Sequence, residues 1–252
     1  MKLSDIRYKE NGIPYVSGGQ LDVLGESIVR EIQPSHFAGQ IDATDLKPLL
    51  SYLGDWHFKG AFLSKSGMLL GAACFQGGEI FTTDIARIQE GTMPVARHTI
   101  LVDKALYDPD MENVFRFTFA HECGHALLHG RFCSSPENME VYASQEKDYV
   151  IRDTKENVSS KDGYRLHTER DWLEWQANAF ASAVLLPKSL VLETAHIIKR
   201  GSRSDVEYYT QCHLTLSDVF KVSRTAAFYR MKGLGILPAT ARLMPGGVIV
   251  AD

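Results

Sequence analysis

A chain of 252 residues with 44% hydrophobic and 23% charged residues has the composition of a water-soluble globular protein and can bury a substantial core, as one large domain or two small ones. No apolar run approaches the ~20 residues needed to cross a bilayer, and Met1-Lys2-Leu3-Ser4-Asp5 opens with charge instead of an apolar signal core, so a cytoplasmic protein without a membrane role is expected. The net charge of −4 is unevenly spread: residues 1–186 carry 18 Lys and Arg against 26 Asp and Glu, whereas residues 187–242 carry 9 against 4. That asymmetry predicts two parts with different partners.

In chain order, Leu21, Leu24, Ile28 and Ile32 recur near one face and predict an amphipathic helix that ends before Pro34. A second helix is expected over 45–53, with Pro48 in its first turn. From Trp56 to Asp103 the period shortens. His57–Leu63, Met68–Phe75, Glu79–Thr83 and His98–Val102 read as short strands, with Ser66-Gly67 and Gly77-Gly78 at the turns. They predict a small antiparallel sheet. The run His98–Val102 reads as alternating and precedes the next helix, so it is the expected sheet edge for an added substrate strand.

That next helix is expected because Phe115, Phe119, Leu127 and Leu128 fall at helical spacings and no proline lies between Met111 and Phe132. It carries His121-Glu122-Cys123-Gly124-His125. Residues four apart project one turn apart on one face, so both imidazoles can reach a single ion. Glu122 lies about 100° round, placed to touch a water on that ion without binding it. Gly124, lacking a side chain, would let another backbone approach closely. Cys123 would point off the His121/His125 face and reads as a packing residue. Together with Cys74, Cys133 and Cys212 it shows no Cys-x-x-Cys spacing, which fits reduced thiols. The competing reading is a buried amphipathic helix whose histidines are merely hydrogen-bonded. A companion helix further along weighs against it.

Residues 131–168 are polar, mixed in charge and weakly periodic, as in a flap, an inserted hairpin or a disordered segment. Helical signals return at Glu169, with Trp172, Trp175, Ala179, Ala183 and Leu186 expected on one face and Glu174 and Asn178 on another. Pro187 ends this helix and can start the next, over 188–199. A hydrolytic zinc site needs three protein ligands and an open position. Glu174, on a separate helix, is the candidate third ligand, and Asn178 one turn later could hold a ligating imidazole in place. His129 competes, but a step of eight residues is about 12 Å along a helix axis, so it reads as a supporting or structural residue. With zinc held by His121, His125 and Glu174, Glu122 can take a proton from a water that the ion acidifies and pass it to a leaving amine. Peptide-bond hydrolysis explains this residue set better than zinc storage, which needs no acid there.

The stretch Phe117-Thr-Phe-Ala-His-Glu-Cys-Gly-His-Ala-Leu-Leu-His129, followed by Glu174-Trp-Gln-Ala-Asn-Ala-Phe-Ala-Ser-Ala-Val-Leu-Leu-Pro187, resembles the ImmA/IrrE family of bacterial metallo-endopeptidases. His98–Asp103 is similar to the region just upstream of that family's metal helix. The resemblance implies that Glu174 is the third zinc ligand. It also implies that the substrate is a protein, typically a helix-turn-helix transcriptional repressor whose cleavage relieves repression. Residues 1–96 contribute little to it.

Residues 214–237 read as helix, tight turn at Val222-Ser223, and helix, with Ser223 as N-cap. This is similar to a helix-turn-helix, which ImmA/IrrE proteins commonly carry after the protease blocks. Lys221, Arg224, Arg230 and Lys232 could meet phosphates, although Ala226, Ala227 and Phe228 offer little for reading bases. The expectation is therefore an α+β protein. A zincin-like, gluzincin-type HExxH helix and a small antiparallel sheet form a zinc metallopeptidase domain over 1–186, and a helical, helix-turn-helix-like module follows over 187–252. The rivals are a zinc-binding DNA regulator without proteolysis and a toxin-like protein held in check by a partner.

Overall fold

The computed structural model describes residues 3–134 and 168–250. Helix α1 (Gly18–Ile32) opens on a capping box in which Ser17 and Gln20 satisfy each other's backbone, and it buries Leu21, Leu24 and Ile28. Asp45 caps α2 (Leu46–Tyr52). A short hairpin, β1 (Arg7–Tyr8) and β2 (Pro14–Tyr15), precedes α1.

Strands β3 (His57–Ala61), β4 (Gly71–Cys74), β5 (Gly78–Thr83), β6 (Glu90–Val95) and β7 (Thr99–Asp103) follow. The sheet is mixed: its order is β3-β7-β4, with β7 parallel to β3 and antiparallel to β4. The expectation that His98–Val102 forms the sheet edge is overturned, because β7 is the central strand. All five of its residues are buried. Ile100-Leu101-Val102 is a continuous apolar run covered on both faces, as in an interior strand, and does not truly alternate. The edge beside the metal helix is β4. Strand β6, absent from the sequence expectation, pairs with β5 as a hairpin; most of its residues are exposed, so it lacks the apolar pattern that reveals a strand.

The helices are α3 (Glu112–Leu128), the single turn α4 (Gly130–Cys133), α5 (Glu169–Leu185), α6 (Lys188–Gly201), α7 (Asp205–Phe220) and α8 (Arg224–Gly233). A hairpin of β8 (Arg242–Met244) and β9 (Val248–Val250) completes the described chain. The expected flap over 131–168 falls, for residues 135–167, outside the described residues. Among the described residues no single helix is long and apolar enough to cross a membrane.

Helix α5 packs against both α1 and α3. Its buried residues are Leu173, Gln176, Ala177, Phe180, Ala181, Ala183, Val184 and Leu185. The single apolar face expected through Trp172, Trp175 and Ala179 is therefore corrected: Trp172 is exposed and Trp175 only half-buried, because the helix is buried on two sides by small and aliphatic residues. Close approach makes this possible. A Cβ on Gly124 would lie 3.1 Å from the Ala177 Cα, so the bare backbone of α3 lets α5 come near enough to share a metal site. One hydrophobic core runs from Leu21 and Phe119 through Phe180 to Leu216 and Phe228, joining the C-terminal helices to the rest. Arg230 on α8 reinforces that junction, bonding Asp22 on α1 at 2.6 Å and the Leu186 carbonyl at 3.0 Å.

Candidate metal centre

Helix α3 presents His121 and His125, and α5 brings Glu174 to them. His121 Nε2 lies 3.2 Å from Glu174 Oε2, and His125 Nε2 lies 3.5 Å from Oε1. The two Nε2 atoms are 2.9 Å apart, and one ligand atom from each of the three residues falls within 4.8 Å of the others. His121 Nδ1 faces Asn178 Oδ1 at 2.9 Å. An amide oxygen only accepts, so His121 carries its proton on Nδ1 and keeps an Nε2 lone pair. A carboxylate and imidazole lone pairs thus converge on one point, an arrangement that a cation satisfies. The donor set of two imidazole nitrogens and a carboxylate fits zinc.

Electrostatics agree with the geometry. Burial by itself would raise the Glu174 carboxyl, but His125 and His121 beside it hold it well below the ordinary carboxylate range. Burial would likewise lower His121, but Glu174, Glu122 and Asn178 together raise it. The pocket is built to hold positive charge. Glu122 is buried at the next position on α3, and its carboxyl is raised, chiefly by burial, with His121 and His125 opposing the shift and Glu174 adding to it. Burial pushes the Cys123 thiol well above its usual value, and burial with Glu122 nearby pushes Cys74 up to about 11. Neither is a thiolate, and Cys123 is a fully buried packing residue as expected. His129 does not join the cluster; its Nδ1 faces His125 Nδ1 at 2.9 Å.

The fold and the site together define an HExxH-type zincin arrangement, a zinc metallopeptidase-like active site in a metal-dependent hydrolase. Residues 149–232 match the Peptidase_M78 family model, the IrrE N-terminal-like domain, so that part of the chain is similar to an IrrE/ImmA-like peptidase domain. No curated protein matches the chain. The matched span holds Glu174, Asn178 and α8, while the helix with the histidine pair lies ahead of it and is joined to it by the site geometry.

Sequence reasoning missed two contributors. Gln176 approaches His129 from α5, and Gly71 on β4 makes room for Glu122. A Cβ on Gly71 would stand 2.8 Å from Glu122 Oε1 and 2.7 Å from Thr118 Cγ2. The small-residue run Gly71-Ala72-Ala73-Cys74 was the available signal. Gly71→Val is expected to push the Glu122 carboxylate aside and lower peptide hydrolysis by about tenfold or more, since small misplacements of a reacting group are costly. Zinc content by elemental analysis should stay at the wild-type level; unchanged turnover would show that Glu122 does not need this space.

Proposed function

We propose that the protein is a zinc endopeptidase that cleaves a helix-turn-helix transcriptional repressor and so relieves repression. The observation that carries the enzymatic part is the convergence of His121, His125 and Glu174 beside a buried carboxyl, Glu122, that is free of the ligand cluster. In this reading those three residues hold zinc, which when bound polarises a scissile carbonyl and acidifies a water. Glu122 takes the proton from that water and returns it to the leaving amine, a role suited to a carboxyl whose affinity for protons is raised by burial. Asn178 fixes the His121 ring.

A groove of about 910 Å³ supports a polypeptide substrate. It is lined by residues of α1, α3, α5 and α8, among them Thr118, one turn before Glu122, and Asn178. Its walls are largely apolar, with Trp175 on one side and Ala226 and Tyr229 of α8 on the other. Arg230 also lines it. On this reading residues 1–186 supply the catalytic machinery and residues 187–252 supply a wall of the substrate groove. The rival DNA-binding role finds less support, since three of its four expected cations are paired within the chain: Arg230 with Asp22, Lys221 with Glu112 at 3.1 Å and Lys232 with the Ala241 carbonyl at 3.1 Å.

Co-expression with candidate repressors tests the substrate: accumulation of a discrete repressor fragment, absent with Glu122→Gln, is the expected result, and intact repressors throughout would refute the reading. The substrate backbone is expected to align on β4. Leu70 O accepts from Asp103 N at 2.8 Å, so in this antiparallel pair Gly71 and Ala73 turn their N–H and C=O groups away from β7. Ala73→Pro removes an outward N–H while leaving the β4–β7 bonds in place. It should reduce hydrolysis at least about tenfold with zinc retained; full turnover in that variant would rule out strand addition at this edge.

A further inference from the structure

The Pro14 carbonyl, in β2, accepts from Gln176 Nε2 at 2.8 Å. A carbonyl has no proton to give, so this contact fixes which end of the Gln176 amide is nitrogen. Gln176 Oε1 is thereby turned to His129 Nε2, at 3.1 Å. An amide oxygen only accepts, so His129 carries its proton on Nε2 and leaves a lone pair on Nδ1. That lone pair lies 2.9 Å from His125 Nδ1, and the proton between the two rings belongs to His125. His125 Nε2 is left without a proton, beside His121 Nε2 and Glu174.

We propose that His129 and Gln176 are positioning residues that set the His125 tautomer, so that the backbone of the N-terminal hairpin presents the His125 Nε2 lone pair to the metal. This rests on reading His121, His125 and Glu174 as the metal site. The relay is enclosed: His129 and Gln176 are both buried, with their polar side-chain atoms engaged within the chain. The hairpin is itself pinned to both helices that flank the site. Arg131, just past α3, stacks over the Tyr8 ring at 4.2 Å, Asn11 bonds Glu169 at the start of α5, and Ile13 packs with Phe132 and Leu173. The N-terminal residues, which carry no recognisable part of the motif, thus complete it from outside.

The test uses the full chain labelled with ring-15N histidine, together with zinc titration against a chromogenic chelator. In metal-free wild type, ring-nitrogen spectra should show His125 protonated at Nδ1 and His129 at Nε2. His129→Ala and Gln176→Leu should weaken zinc binding about 10- to 100-fold and leave His125 as a mixture of tautomers. His129→Asn places an amide oxygen where Nδ1 stood and should hold zinc to within about threefold of wild type. A metal-free His125 protonated at Nε2 would overturn the proposal. So would a His129→Asn variant as weak as His129→Ala at equal melting temperature. A chain that takes up no zinc would refute the metal reading instead, and the spectrum of the metal-free protein would still decide the relay.

Discussion

Glu122→Gln is expected to bind zinc and fold as the parent does while losing about 100- to 10,000-fold in peptide hydrolysis, the range that a positioned acid–base group supplies. The substitution removes the basic oxygen and changes almost nothing in volume. Glu122 has room for its carboxyl because Gly71 faces it, and it stays clear of the ligand cluster, so the metal should not notice the change. The loss should appear in kcat and in kcat/KM alike, since proton transfer belongs to the transition state and substrate binding does not depend on it. Near-wild-type hydrolysis would remove Glu122 from the mechanism. Loss of zinc together with activity would instead make it a ligand.

Glu174→Ala is expected to strip the site of metal. Its carboxylate sits 3.2 Å from His121 Nε2 and 3.5 Å from His125 Nε2, and it supplies the only negative charge among the three converging ligand residues. Two imidazoles remain in the variant, and a site left with two protein ligands lacks the three that catalytic zinc uses. Elemental analysis after dialysis should find little zinc. The drop in affinity should far exceed the roughly 10- to 100-fold expected when a residue behind a ligand, such as His129, is removed. Equal zinc in the wild type and the Glu174 variant would transfer the third-ligand role elsewhere.

What could be read from the chain beforehand follows the range of the interactions involved. His121 and His125 were legible because a four-residue step on a helix is local geometry, and the helix itself is announced by its apolar spacings. Glu174 was legible through the second motif and the need for a third ligand, and Asn178 through its place one turn beyond. Gln176 was not, since its meaning depends on the Pro14 carbonyl, 162 residues away in sequence. Gly71 was not, because only the packing of β4 on α3 reveals what it avoids. The central position of β7 was not legible for a related reason. Period-two patterning distinguishes one covered face from two, and Ile100-Leu101-Val102 is continuous, so it belongs to a strand covered on both faces. Helix α5 failed the same way: gripped by α1 and α3 together, it shows a wide band of small residues, and its tryptophans mark the groove and the surface more than the core.

Helix α8 has one side sunk in the core through Ala227, Phe228 and Met231 and another side, with Thr225, Ala226 and Tyr229, turned to the groove. In a helix-turn-helix the second helix is the one that enters a DNA groove. Here the outer surface of that helix lines the groove proposed for the substrate. A duplex seated on Thr225, Ala226 and Tyr229 would fill the groove proposed for the polypeptide, so on that reading the two kinds of ligand exclude each other. If the proposed groove holds the substrate, nucleic acid at this surface would compete with it, and a cleavable protein would displace the nucleic acid in turn.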